Sequence, residues 1–89
     1  MKFEYNPQKS MTNKSKHSIA LEETKTLWFV TAVEVEAKNL DELRSMMIGR
    51  INGKFYSCIY TLRNGVVRLI SASRSRKLEE KIYYEHFEK

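Results

Sequence analysis

Between Thr31 and Ala37 the chain reads TAVEVEA, with Val33, Val35 and Ala37 alternating against Glu34 and Glu36. A period of two is that of a β-strand with one buried and one wet face. Further on, Asn52-Gly53 and Asn64-Gly65 are each flanked by runs rich in β-branched and aromatic residues. A two-residue hairpin turn of the primed kind needs positive φ at both central positions, which Asn and Gly tolerate best. Residues 44–51, 54–63 and 66–73 are therefore expected to form a three-stranded antiparallel meander.

The remaining pattern is mostly helical. Lys2–Asn6 is short and alternating and reads as a strand. Asn6-Pro7 then opens a helix, with Asn6 as cap and Pro7 at the first helical position. The run QKSMTNKSKH has Met11 as its only large apolar residue, so this helix has little to bury. Ser18 is expected to cap a second helix over Ile19–Phe29, with Leu21, Leu27 and Trp28 near helical spacing and Glu22 and Glu23 in its first turn. Lys38–Leu43 reads as a connection. At the C-terminus Leu78, Ile82, Tyr83 and Phe87 mark an amphipathic helix. The expected fold class is α+β: a small antiparallel sheet, the C-terminal meander plus N-terminal strands, packed with two N-terminal helices and one C-terminal helix. At 89 residues the chain is expected to form a single domain spanning residues 1–89.

If both turns hold two residues, register follows. Residue 51 pairs with 54 and 63 with 66. One face then holds Met47, Gly49, Ile51, Tyr56, Cys58, Tyr60, Leu62, Val67, Leu69 and Ser71, and should pack on helices. The other holds Met46, Ile48, Arg50, Phe55, Ser57, Ile59, Thr61, Arg63, Val66, Arg68, Ile70 and Ala72, apolar in the middle and basic at its ends. Arg63 and Arg68 fall at one end. Arg50 and Phe55 fall at the other, beside Arg74 if pairing continues, roughly 20 Å away at the rise of a strand.

Composition adds a charge pattern. The net charge is +5, and its placement is uneven. Residues 1–17 carry four lysines against one glutamate, and residues 63–81 six cations against two acids, while 18–48 carry six acids against three cations. Basic ends around an acidic middle suit a surface facing a polyanion such as nucleic acid. No run of about 18 apolar residues could span a bilayer. The N-terminus has no apolar signal stretch, and Cys58, the single cysteine, cannot form an internal disulfide. These features point to the cytoplasm. No Cys/His cluster has metal-ligand spacing and no glycine-rich phosphate loop is present, so no cofactor or metal is expected.

Two long stretches, FEYNPQKSMTNKSKHSI and IGRINGKFYSCIYTLRNGVVRLISASRSRKLEEKIYYE, resemble the BrnT family of bacterial toxins. That family opens with an aromatic-Asp-Pro-x-Lys pattern, then Asn, then Lys-His-Gly. It continues with Ile-Gly-Arg, a Tyr-Thr strand and Arg-Ile-Ile-Ser-Ala-Arg-Arg, and ends in Glu-Arg-Arg-x-Tyr-x-Glu. The likeness runs from Phe3 to Glu85. It implies a RelE-like fold and an RNA endonuclease that inhibits translation. It also implies a cognate, BrnA-like antitoxin, a DNA-binding protein that masks the toxin, so that operator DNA is met only through the complex. By position, Lys16 and His17 match the Lys-His pair and Arg50 the Ile-Gly-Arg arginine. Tyr60 and Thr61 match the Tyr-Thr strand, and Arg63 the arginine after it. Arg68 and Arg74 match arginines of the next motif, and Glu79, Tyr83, Tyr84 and Glu85 the last. Ser18 stands where the family has glycine, Asn6 for aspartate, Ser73 for the first of two arginines, and Glu80 where a cation is common.

Cutting RNA without metal requires a base for the ribose 2′-hydroxyl, an acid for the leaving oxygen and cations for the phosphate. His17 is the titrating candidate, the plain alternative being a hydrogen-bonder at a helix end. Arg63, Arg68 and Arg74 are the phosphate candidates, since guanidinium binds phosphate in a bidentate, permanently charged way. Their alternative is strand-end arginines reaching for solvent. Lys16, Arg50, Arg76 and Lys77 are expected to bind RNA. Tyr56, Tyr60 and Cys58 read as core, and Phe55 as packing. The competing function is a non-catalytic nucleic-acid-binding or antitoxin-binding domain.

Overall fold

A computed structural model describes residues 1–37 and 43–87. The expected connection Lys38–Leu43 therefore falls, except for Leu43, outside the described residues. In chain order the elements are β1 (Lys2–Glu4), α1 (Pro7–His17), a 3-10 helix (Glu22–Trp28), β2 (Ala32–Ala37), β3 (Arg44–Ile51), β4 (Lys54–Arg63), β5 (Val66–Arg74) and α2 (Lys77–Phe87). The strands form one five-stranded sheet in the order β1-β5-β4-β3-β2.

Both hairpins form where the Asn-Gly pairs stand. Asn52 and Gly53 take φ of 52° and 78°, and Asn64 and Gly65 take 51° and 77°. Register leaves the turns as expected, with Ile51 opposite Lys54 and Arg63 opposite Val66. β2 adds antiparallel to β3, burying Val33 and exposing Glu34 and Glu36. The sheet is nevertheless mixed. β1 runs parallel to β5, with Phe3 opposite Val67, because the chain returns to that edge only after α1 and the rest of the sheet have intervened.

The expected register breaks inside β5. Tyr60 is opposite Leu69, but Ile59 is opposite Ser71, so Ile70 is an extra residue. Such a bulge reverses the side to which every later side chain points. Ala72, expected on the second face, is buried in the first, opposite Cys58. Ser71, expected on the first face, joins the second opposite Ile59. Arg74 pairs with Tyr56 and so leaves the Phe55 side altogether.

The first face carries the main core. Ile19, Leu21, Leu27, Tyr56, Cys58, Tyr60, Val67 and Leu69 are buried there, with Phe3, Trp28 and Met47 packed against them. Gly49 sits under the 3-10 helix, where a Cβ would stand 3.0 Å from both Ala32 Cβ and Leu27 Cδ2, so any larger residue would press these neighbours apart. Leu62, assigned to the same face, is 66% exposed because it lies beyond the covering helices. The expected second helix over Ile19–Phe29 is a seven-residue 3-10 turn instead. Ser18 does not cap it. Ser18 ends α1 in the left-handed region at φ 61°, its N–H donating to Lys14 O at 2.9 Å.

α1 begins as expected, with the Asn6 side chain accepting from the N–H groups of Gln8 and Lys9. Its docking is polar. Met11 is exposed, whereas Ser10 and Asn13 are buried. α2 lies over the second face, where Ile82 and Tyr83 pack on Val33, Ile48 and Phe55. Leu78, counted in its apolar stripe, is 69% exposed. Among the described residues no helix is long and apolar enough to cross a membrane.

Candidate functional site

α2 covers the second face over β2, β3 and the first part of β4. Towards β5 that face stays open as a cleft of about 290 Å³. Its floor is Ser57 and Ile59 of β4 with Ser71 and Ser73 of β5. His17, the last residue of α1, stands on one side, and Arg76 and Glu79 stand on the other. A second hollow of about 300 Å³ shares His17 and Ser71 and adds Lys9 and Lys16. The two hollows form one trough with cations along it.

Two local devices build this arrangement. The bulge at Ile70 turns Ser71 and Ser73 into the cleft. Asn13 then fixes α1 beside the bulge. Its Nδ2 donates to Ile19 O at 2.7 Å and to Ala72 O at 2.9 Å, while its Oδ1 accepts from Ala72 N at 3.2 Å. The helix that ends in His17 is thereby held against the strand that supplies Ser71.

On the opposite side, Glu79 Oε1 accepts from Arg76 N at 3.0 Å and from the Ser57 hydroxyl at 2.8 Å. The first contact is half of a capping box at the start of α2. Ser57 is 4% exposed, and its hydroxyl also lies 2.7 Å from Ser75 Oγ. A carboxylate only accepts, so the Ser57 proton goes to Glu79 and Ser75 donates to Ser57. The chain Ser75–Ser57–Glu79 locks the carboxylate to the sheet.

The expected phosphate ligands divide. Arg76 lines the cleft. Arg68 lies on the cleft face opposite Thr61, about 10 Å along β5 from Ser71 at the strand rise. It is paired with Glu4 at 3.2 Å, because the parallel register of β1 sets Glu4 beside it. Arg63 ends β4 on that face. Arg74 is on the other face, with Nε donating to Phe55 O at 3.3 Å and its guanidinium 5.7 Å from the Tyr56 ring. Arg50 stacks 4.8 Å from the Phe55 ring and donates to the Tyr84 hydroxyl at 2.9 Å, which ties β3 to α2. Lys77 opens α2 and, with Lys81 and Tyr84, lines a separate hollow. Lys16 is exposed beside His17.

Phe55 is buried under Tyr83 and Tyr84, with ring centroids 5.0 and 5.5 Å away. Cys58 is fully buried, and burial pushes its thiol pKa up to about 11. Both roles agree with the sequence reading. Asn13, Ser57, Ser71, Ser73 and Glu79 were not singled out as site residues. The available signal was a polar residue where the strand pattern calls for an apolar one, as at Ser57, and the glutamate and asparagine inside the resembling motifs.

Residues 5–79 match the family model of the ribonuclease toxin BrnT of type II toxin–antitoxin systems. The chain belongs to the BrnT family. Every residue lining the cleft lies within the matched span, and Glu79 is its last position. No curated protein matches this BrnT-family chain. Membership places it among ribonuclease toxins, whose target is RNA and whose partner is an antitoxin.

Proposed function

We propose that this chain is an active, metal-independent endoribonuclease and that the trough beside His17 is where RNA is cut. The observation that carries the reading is the convergence of His17, Arg76 and Glu79 on one serine-floored cleft. A titratable imidazole supplies proton transfer there, and Arg76 and the hydroxyls bind a non-bridging phosphate oxygen. RNA would continue along the open face towards Arg68 and Arg63, and the other way over Lys16 and Lys77. Lys9 and Lys16 add non-specific attraction. Arg50 and Arg74, with their protein partners, act by holding α2 and the end of β5 in place.

The protein would be a single RelE-like domain of the cytoplasm that stops translation by cutting RNA. A BrnA-like antitoxin would neutralise it by laying acidic groups across the same basic trough, since covering the cations blocks both binding and chemistry. The Arg68–Glu4 pair favours a second reading, in which the surface binds RNA or the antitoxin without cutting. Purified protein mixed with RNA in excess chelator separates the two. Cleavage by the wild type and its loss in His17→Ala supports the nuclease. Bound but intact RNA would overturn it.

A further inference from the structure

Resting on that ribonuclease reading, we propose that Glu79 is the general base of the reaction and that His17 is the acid facing it across the cleft. These are the imidazole and the carboxylate that line the cleft, the side chains there able to give or take a proton, since Arg76 keeps its charge. They come from opposite walls, His17 from the end of α1 and Glu79 from the first turn of α2. A scissile phosphate on the serine floor would lie between them, as an in-line displacement requires.

The carboxylate is held for such work. Both of these hydrogen bonds, from Arg76 N and Ser57 Oγ, end on Oε1. Oε2 takes part in neither and is the oxygen left for substrate. Ser57 is itself buried and fixed by Ser75, so Glu79 meets substrate with its rotamer already set, the preorganisation that proton transfer rewards. A helix cap alone would use the carboxylate only as an acceptor, which a glutamine oxygen does equally well.

The step balances without a co-reactant. Glu79 takes the 2′-hydroxyl proton as O2′ forms its bond to phosphorus. The P–O5′ bond breaks, and the His17 imidazolium gives its proton to O5′. The products are a 2′,3′-cyclic phosphate and a 5′-hydroxyl. Glu79 then loses its proton to water and His17 regains one.

The test uses an RNA oligonucleotide and its analogue with sulfur in place of the bridging 5′-oxygen, a leaving group that needs no acid. Wild type, Glu79→Gln and His17→Ala are compared on both. Glu79→Gln should keep the wild-type fold and RNA affinity yet cut both substrates at least 100-fold more slowly, within the range usual for loss of a proton-transfer group. His17→Ala should lose as much on the oxygen substrate and recover on the sulfur one. Cleavage by Glu79→Gln within threefold of wild type, or its recovery on sulfur, overturns the assignment of Glu79 while the nuclease reading stands. A wild type that cuts neither substrate overturns both. Should Glu79→Gln melt early, Glu79→Ala with added formate, at a temperature where its circular dichroism is native, replaces it. Rescue supports the base role, and no rescue overturns it.

Discussion

Asn13 and Ala72 face each other like neighbouring strands, the side-chain amide of one meeting both the N–H and the C=O of the other, at 3.2 and 2.9 Å. β1 covers the β5 edge only from Val66 to Arg68. Asn13 takes over at Ala72, so a buried stretch of backbone is satisfied by one side chain. Asn13→Ala should destabilise the fold by about 3 kcal/mol, since it strands Ala72 N–H, Ala72 C=O and Ile19 C=O. Urea unfolding monitored by tryptophan fluorescence reads the loss. Asn13→Asp should be as harmful, because a carboxylate cannot donate to the two carbonyls. Preserved stability in either variant would show that the α1–β5 contact is held by something else.

Ser18 closes α1 in a conformation that side chains with a Cβ resist, and the BrnT pattern has glycine there. Ser18→Gly should raise stability by about 0.5 kcal/mol, the relief of strain being partly offset by the freer unfolded chain. That corresponds to a rise in Tm of roughly 2–4 °C for a domain this small. Ser18→Val should move Tm the other way.

Glu23 is held below the usual carboxylate range, first by its hydrogen bond from Lys14 Nζ at 2.7 Å and then by that from Ala20 N–H at 2.9 Å, while slight burial opposes both. A folded-state pKa below the unfolded value gives stability that is present above the unfolded value and lost as pH falls through the folded one. Glu23→Gln should therefore lower stability at neutral pH, leave the most acid end nearly unchanged, and so flatten the decline that the wild type shows as pH falls below about 4.5. The pair is half exposed, so added salt should shrink the difference. Melting curves from pH 3 to 7 at two salt concentrations check both points.

Cys58 should resist thiol reagents at pH 8 until the protein is unfolded, because it is fully buried and its thiolate disfavoured. Its folded pKa of about 11 stands above the ordinary 9.0, so the neutral thiol favours the native state. Stability should fall as pH rises from about 9 to 11, where the unfolded chain ionises first. Cys58→Ala should remove that decline. Mass-spectrometric labelling with and without denaturant gives the first test, and alkaline unfolding the second.

Lys16 and Arg76 should separate attraction from chemistry. Lys16→Ala should weaken RNA binding for every sequence alike and reduce the slope of log affinity against log salt by about one unit. Arg76→Ala should cost about 10- to 100-fold in single-turnover cleavage, as a lost charged contact to phosphate does. Arg74→Ala should act chiefly on stability, since its side chain holds Phe55 O and covers Tyr56.

The hairpins were legible because Asn-Gly answers one steric demand that few other pairs meet. The two strand faces were legible as far as the alternation stayed in phase, and it failed at Ile70. A single extra residue carries no mark in composition, and Ile70 is as good a strand residue as its neighbours. Ser71, Ala72 and Arg74 were misplaced for that one reason. The direction of β1 could not be read, since three residues say nothing of which edge they join. The short 3-10 turn was hidden because Leu21, Leu27 and Trp28 suit a buried face in either helical form. His17 and Arg76 were visible as chemistry. Their meeting depends on Asn13, a polar residue in a helix whose pattern offered little to bury.

The extra residue in β5 makes the character of each side of this sheet a matter of parity. Flattening the bulge, with Ile70 paired opposite Ile59, would leave composition, net charge and both turns untouched. It would also swing Arg74 out over the trough, send Ser71 and Ser73 towards Cys58 and Tyr56, and break the hold of Asn13 on Ala72. In β5 of this chain, one step of register is a larger chemical change than any single substitution.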